Sequence, residues 1–568
     1  MSRRAKREEK VKSKIFSKLI VTAILLALAF MILKLAPNYV NTEITDKANL
    51  VINNSNVTQD LKKDVIIENG VIYISKEDIS NFFDPHIYYD EKYNQIVTTS
   101  NTKVASMVIG QNEMINNGTK VQTSATVIEK EDTIYIPFST FKDIYNVEIG
   151  YIESTNTITV DSKDRKFVKA NSLKDDGVKA YPTVFSRNVD TLKQGESFVV
   201  VQNEEQQNQE ENGWTEIRTD RGKLGYIKST NVQNEYTVRE DLTTPNQEKE
   251  KISMIWDYFS EYYTAPDRSG TSIKGVNVVS PTFFTLVGEG QGKINENVGD
   301  DGVAYINWAH SNGYKVWPSI SNAPHIETTS EIMRDYNLRH TLIENIVSLI
   351  LKYNLDGINI DFEYMHDEDK DLFSRFIIEL KPRLAEMGKE LSVDVTAPDG
   401  SPEWSLCYDR NIIGEVADYI VFMAYDQNGV SSPVEGTTAG YNWVEANIKK
   451  FLGQEGVEAN KIILGIPFYT RVWEEKDGKI SSSTIDMKNI DKIVPEGASK
   501  TWDDNLKQYY IEYEKDGVTH KIWAEDEESI KAKLSLINEY NLAGAAFWTK
   551  DREPDTIWNL VSENLGID

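Results

Sequence analysis

The chain has 568 residues, length for about four domains of roughly 150 residues each. Hydrophobic residues make up 40% of it and charged residues 27%, which excludes a disordered polymer. Asp and Glu number 89 against 62 Lys and Arg, and the net charge of −27 excludes a general nucleic-acid binder, whose phosphate contacts need clustered cations.

The N-terminus is the basic exception. Arg3, Arg4, Lys6, Arg7, Lys10, Lys12, Lys14 and Lys18 crowd residues 1–18, and the uncharged run Leu19 to Leu33 follows. With Lys34 snorkelling, residues 19–36 reach the roughly 17–25 residues of a transmembrane helix. The basic flank predicts a cytoplasmic N-terminus and a single-pass anchor in the cell membrane, with the rest of the chain outside on the cell-wall side. LKLAPNYVN is a poor signal-peptidase site, so an uncleaved anchor is expected rather than a signal peptide.

Residues 37–64 are polar and Asn-rich and are expected to form a stalk. Residues 65–162 hold an internal repeat, a duplicated αβ module. VIYISKEDISNFFDPHIYYDEKYNQIVTTS from Val71 aligns without a gap on TIYIPFSTFKDIYNVEIGYIESTNTITVDS from Thr133. Phe83 then matches Tyr145, Tyr89 matches Tyr151 and Ile96 matches Ile158. Each copy reads as strand, short helix, strand, turn, strand. The stretch resembles the copper amine oxidase N-terminal domain found on bacterial surface proteins, which implies a spacer or wall-contacting module; its His86 is alone, and no copper site is expected.

Over 166–236 the runs KAYPTVFS, ESFVVVQ, GWTEIRT and KLGYIKST read as short strands of a small β-barrel. Trp214, the turn at Arg221–Gly222 and the run Gly225-Tyr226-Ile227 resemble bacterial Src-homology-3-like domains, and the resemblance implies a wall-peptide-binding module. Trp214 is either a ligand platform or a core aromatic.

Over 251–568, apolar strand-like runs alternate with helical stretches. The runs begin at Gly275, Tyr314, Leu355, Leu391, Tyr419, Lys461 and Gly544, and helices are expected over 336–352, 367–387 and 440–453. The alternation predicts an α/β fold, and the length fits a (β/α)8 TIM barrel. No glycine-rich phosphate loop follows the first strand, which disfavours a dinucleotide fold.

Asp356-Gly-Ile-Asn-Ile-Asp-Phe-Glu363 is the most informative segment. Alternation along a strand puts Asn359, Asp361 and Glu363 on one face, into the barrel, and Ile358, Ile360 and Phe362 on the other, against helices. Two carboxylates and an amide inside a barrel are costly unless they are used or fully hydrogen-bonded. Glu363 comes last, at the strand's C-terminal end, where barrel active sites are built. Adjacent carboxylates push each other's pKa values apart, so one can stay protonated near neutral pH as a general acid. A structural acidic cluster is the bland alternative. A metal site is the third reading, with mainly Asp394 and Asp426 on neighbouring strands. The one cysteine, Cys407, and the scattered histidines argue against it, so no metal and no cofactor are expected.

DGINIDFE resembles the DxxDxDxE signature of glycoside hydrolase family 18, the chitinase-like family. Met423-Ala-Tyr425-Asp426 and the Trp548 of GAAFW follow in order at the ends of later strands. The resemblance covers roughly residues 251–568 and, with the upstream modules, is most similar to bacterial spore-cortex and cell-wall N-acetylglucosaminidases. It implies hydrolysis of β-1,4 linkages in N-acetylglucosamine-containing glycans, peptidoglycan or chitin-like, by substrate-assisted retaining catalysis.

The resemblance implies that Glu363 acts as acid and then base. Asp361 would orient the acetamido N–H and stabilise the oxazolinium intermediate, Tyr425 would bond the acetamido carbonyl, and Trp548 would floor the sugar. For Tyr425 and Trp548 the alternative is packing at the barrel end. Asp426, Asp394 and Met423 are expected around the sugar. Asn359 stands where the family has Asp; it is expected in the substrate site, donating a hydrogen bond to Asp361. The stretch of about 472–540 looks like the family's small αβ insertion, with Trp523 and Glu525 facing a groove. Trp317, Trp404 and Trp473 either stack on sugars or sit in the core. The expected partners are the polysaccharide and the cell membrane, and a monomer is expected. A catalytically silent glycan-binding surface protein is the alternative from another class, although binding alone needs no proton donor. A sporulation or germination factor valued for its partners rather than its turnover is a third.

Overall fold

The computed structural model describes residues 14, 18, 20–26, 47–203, 207–239, 250–260, 262–288 and 290–567. Most of the basic tail and most of the expected anchor lie outside them. Among the described residues no helix is long and apolar enough to cross a membrane. The chain forms two compact units, the first mainly from residues before 247 and the second mainly from Gln247–Asp568.

In the first unit the repeat is realised as expected. One copy runs through the strand Val71–Ser75 and the helix Lys76–Phe82, the other through the strand Thr133–Pro137 and the helix Phe141–Ile144. Their first strands pair antiparallel, Tyr135 opposite Ser75 and Pro137 opposite Tyr73. The matched aromatics Phe83 and Tyr145 meet with ring centroids 5.4 Å apart. The stalk is shorter than expected, because Asn49–Ile52 pairs in parallel with Thr157–Val160. Leu50 and Val51 are buried there, and apolar burial outweighs the polar composition around them.

The segment Phe167–Val238 is all antiparallel strands around Ala170, Val178, Leu192, Phe198, Val200, Ile217 and Ile227. Trp214 is buried in this module, which favours the core reading over the platform.

In the second unit eight strand positions pair in parallel. They are β1 Ile252–Asp257, β2 Val278–Pro281 resuming as Phe284–Leu286, β3 Lys315–Val316 resuming as Ser319–Ser321, β4 Gly357–Asp361, β5 Glu390–Val395, β6 Tyr419–Met423, β7 Ile462–Pro467 and β8 Gly544–Trp548. Each pairs with the next, and β8 pairs with β1, which closes the barrel. β1 is a strand the sequence reading did not single out. The expected helices are present as α1 Tyr336–Tyr353, α2 Lys370–Glu386 and α3 Tyr441–Gly453.

Inside the barrel, Met254, Trp256, Val278, Trp317, Tyr419, Val421, Ile463 and Ala546 form one apolar cluster. Outside it, Ile358, Ile360 and Phe362 of the β4 segment join the larger cluster under the helices. Phe362 lies parallel to Phe376 of α2, with centroids 5.9 Å apart. Burying such a side chain is worth about 1.5–3 kcal/mol, so a one-residue slip of β4 would forfeit this packing and bury polar groups outside.

The insertion is an antiparallel five-stranded sheet in the order Lys479–Asp486, Tyr469–Lys476, Val518–Ala524, Gln508–Lys515, Ser499–Asp503. It therefore spans 469–524 rather than about 472–540. The helix that follows, α4 Glu527–Glu539, returns to the barrel, where Ile530, Leu534 and Ile537 join the outer core. Its start is fixed by a capping box, with Asp526 accepting from Ser529 N at 3.0 Å.

Candidate active site

The position of β4 is set before its carboxylates are reached. Asp335 caps α1 by accepting from Leu338 N at 3.0 Å, and Asn354, with φ +52°, stops the helix in the left-handed region. The Asp356 carboxylate then accepts from Val316 N at 2.9 Å and meets His310 Nε2 at 2.9 Å, which ties β4 to β3. The first Asp of the motif is thus a tether at the far end of the strand. At Gly357 a Cβ would lie 2.5 Å from Glu390 O and 2.8 Å from Trp317 Cδ1, so only glycine lets these strands approach.

From there the alternation holds. Asp361 and Glu363 open into a cavity of ≈170 Å³ at the C-terminal mouth of the barrel, shared with Asp394, Met423, Tyr425, Asp426, Trp548 and Trp404. These side chains come from β4, β5, β6, β8 and the loops after them. Trp256 of β1 and Tyr469 complete the lining, and neither was foreseen. Trp548 meets Trp256 edge to face at 5.6 Å.

Asn359 is the exception. It is fully buried below the cavity and does not reach a substrate. Its Nδ2 donates to Ser392 Oγ at 3.0 Å and to Asp394 Oδ1 at 2.7 Å, and its Oδ1 accepts from Trp256 Nε1 at 3.0 Å. An amide has two N–H groups, so none remains for Asp361, and the expected Asn359–Asp361 bond is replaced by a link to β5.

Glu363 is pinned through its backbone. Asn322, buried in the loop after β3, accepts from Glu363 N at 2.9 Å and donates to Glu363 O at 3.0 Å. Tyr408 donates to Phe362 O at 2.7 Å. The residues after the two mouth groups are both left-handed, Tyr364 at φ +52° and Asp426 at φ +56°. Such conformations cost about 1–3 kcal/mol outside glycine and persist where surrounding packing over-determines them.

Burial raises the Asp361 carboxyl to about 6. Burial, then the negative charges of Asp361 and Asp426, raise Glu363 to about 8. Asp394 is held well above the usual carboxylate range, by burial first and then by Asp361, against the opposing bond from Asn359. Near neutral pH the site therefore holds a protonated Glu363 beside a largely ionised Asp361, a proton donor next to a negative charge. Burial, with the carboxylates around it, keeps the Tyr425 hydroxyl protonated and able to donate. Asp426 accepts from Tyr469 Oη at 2.9 Å and lies 3.4 Å from Arg471. Among the described residues no group of His, Cys, Asp and Glu could hold a metal ion.

The aromatic candidates separate by burial. Trp317 and Trp473 are core residues, and only Trp404 faces the cavity, packed on Tyr364 at 4.9 Å. Glu525 is fully buried in an ion pair with Lys533 at 2.8 Å, and Trp523 packs on Tyr510 of the insertion sheet, so neither lines this cavity. Alternation did not expose Asn322, Trp256 or Tyr469, because they come from segments distant in sequence.

Residues 51–160 match the copper amine oxidase N-terminal domain. The chain is 28% identical over 300 residues to the uncharacterized glycosylase YvbX of Bacillus subtilis, covering 50% of this chain and 84% of that protein. It is 25% identical over 243 residues to the cortical fragment-lytic enzyme of Bacillus subtilis, covering 42% of this chain and 56% of that protein. The fold is shared with the crystal structure of the Bacillus cereus spore cortex-lytic enzyme SleL, at a TM-score of 0.51 and 20% identity over 58% of this chain and 77% of that one. Residues 254–553, more than half of the chain, match glycosyl hydrolases family 18, and the chain belongs to that family of glycoside hydrolases.

Proposed function

We propose that this chain cleaves β-1,4 linkages on the reducing side of N-acetylglucosamine, in peptidoglycan or a chitin-like glycan, with the substrate's own acetamido oxygen as nucleophile. The observation that carries this reading is the state of the carboxyls facing Glu363. Asp361 ends β4 and Glu363 follows two residues later, so both line the cavity from the same strand end. Asp394 is held protonated by burial and bonded by Asn359, and Asp426 accepts from Tyr469 Oη at 2.9 Å. None is free to attack an anomeric carbon, which separates this site from the two-carboxylate pattern.

The protonated Glu363 donates to the leaving glycosidic oxygen as the acetamido oxygen closes on the anomeric carbon. Asp361 accepts from the acetamido N–H and balances the positive oxazolinium. The Tyr425 hydroxyl holds the acetamido oxygen in line, and Trp548 forms the floor beneath the sugar. Glu363, now ionised, takes a proton from the water that opens the ring. The similarity to a cortical fragment-lytic enzyme supports a wall glycan as substrate.

The test is substrate-side. Oligosaccharides de-N-acetylated at the reacting sugar keep their linkage but lose the nucleophile. They are expected to resist cleavage while N-acetylated ones release new reducing ends. Equal cleavage of both would contradict substrate assistance.

Residues 19–36, behind their basic flank, are read as a membrane anchor that keeps the barrel on the wall side. The repeat module and the small β-module are read as the spacer between them.

A further inference from the structure

A second cavity of ≈370 Å³ adjoins the first and shares Tyr469 and Trp548 with it. Its remaining lining is Arg471, Thr484, Asp486 and Arg552. The strand Tyr469–Lys476 aims Tyr469 and Arg471 to one face, and its hairpin partner sets Asp486 opposite Tyr469 and Thr484 opposite Arg471. Arg552 enters from the loop after β8, its guanidinium carbon 5.7 Å from the Tyr469 ring centroid.

The two guanidiniums are under-used. Arg471 is only 6% exposed, yet its Nε has no hydrogen-bond partner. Its other contacts are 3.4 Å to Thr484 Oγ1 and 3.4 Å to Asp426 Oδ1. Arg552 reaches Asp486 only at 3.4 Å. Ion pairs this long and single-pronged leave the planar forks open, whereas a carboxylate ligand fits such forks with two parallel bonds.

The cavity also has a direction. Glu363 must face the leaving group, so the aglycone lies on its side of the central cavity. The arginine cavity touches neither Glu363 nor Trp404 and joins the site through Trp548 and Tyr469. Set apart from the proton donor, it suits the glycone side of a sugar over Trp548. We propose that Arg471 and Arg552 form a carboxylate-reading subsite for the sugar preceding the cleaved N-acetylglucosamine, selecting a glycan whose alternate sugars carry an acidic 3-O-substituent. This deepens the proposed function and rests on it: the substrate is peptidoglycan rather than chitin, and cleavage is internal to the strand. The carboxylate is either the lactyl acid or that of an amino acid attached through it.

The test measures kcat/KM of the full chain on four substrates of matched length. They are peptide-free peptidoglycan strands, the same strands with the lactyl acids capped as methyl amides, strands retaining L-alanine on the lactyl group, and chitin oligomers. A preference of about tenfold or more for carboxylate-bearing over capped strands is expected, weakening as salt is raised. In Arg552→Gln that preference falls towards unity, and in Arg552→Glu it reverses. Preference for the free lactyl strands assigns the carboxylate to the sugar, and preference for the alanyl strands assigns it to the peptide. Glu363-dependent cleavage of capped strands and chitin as fast as acidic ones overturns this inference alone. Cleavage of none of the four overturns the parent reading and this one with it.

Discussion

At the residue scale two neighbouring carboxyls, Glu363 and Asp361, are given different tasks. In the proposed mechanism Glu363 is protonated when the leaving oxygen departs, and Asp361 is charged when the oxazolinium forms. Glu363 is raised to about 8, so activity falls as pH rises through that value. Asp361 is raised to about 6, so activity falls as pH drops through that value. A bell-shaped kcat/KM profile centred near neutrality is expected. Asp426→Asn removes one of the charges holding the Glu363 proton, and the alkaline limb moves to lower pH; an unmoved limb would mean that Asp426 does not act on Glu363. The direction of Asp361 and Glu363 was legible from strand alternation, whereas Tyr425 and Trp548 stood out only through the family resemblance. The setting of Asn359 was not legible. Its inward direction could be read, but its partners Trp256, Ser392 and Asp394 sit on strands whose alignment with β4 only the closed barrel fixes.

At the element scale the barrel brings its strands close enough for the mouth groups to converge. β7 runs beside β6 under Tyr425. A Cβ at Gly465 would lie 2.7 Å from Phe422 O and 3.3 Å from the Tyr425 ring. Gly465→Ala is expected to cost about 1–3 kcal/mol in denaturant unfolding through overpacking and to lower kcat more than it raises KM. Unchanged stability and unchanged kcat would show that the ring is not held by this contact. Parallel strands buried on both faces read as continuous apolar runs, and seven of the eight were visible on that basis. β1 escaped because ISMIWD opens the unit directly after a polar stretch. The insertion was visible as a hairpin, but its limits were misjudged: α4 follows it without a compositional break, and only the burial of Ile530, Leu534 and Ile537 assigns that helix to the barrel.

At the scale of the whole molecule, the proposed anchor and the barrel are tested separately. The anchor reading rests on basic residues before an apolar run, and it predicts that the full chain sediments with membranes after high-salt washing. A chain lacking residues 1–36 is expected in the soluble fraction with its activity on soluble oligosaccharides intact. Release of the full chain by salt alone would contradict the anchor. The strand Asn49–Ile52 shows how composition misleads at this scale, since an Asn-rich linker carried a buried strand in its midst.

Glu363 is proposed to drive glycosidic hydrolysis next to N-acetylglucosamine. The most direct measurement incubates the chain and its Glu363→Gln variant with purified peptidoglycan and analyses the released fragments by mass spectrometry. New reducing-end N-acetylglucosamine from the wild type, reduced about 10²–10⁴-fold in the variant, is the predicted result. Equal release by both proteins, or retained binding with no release by either, would contradict it.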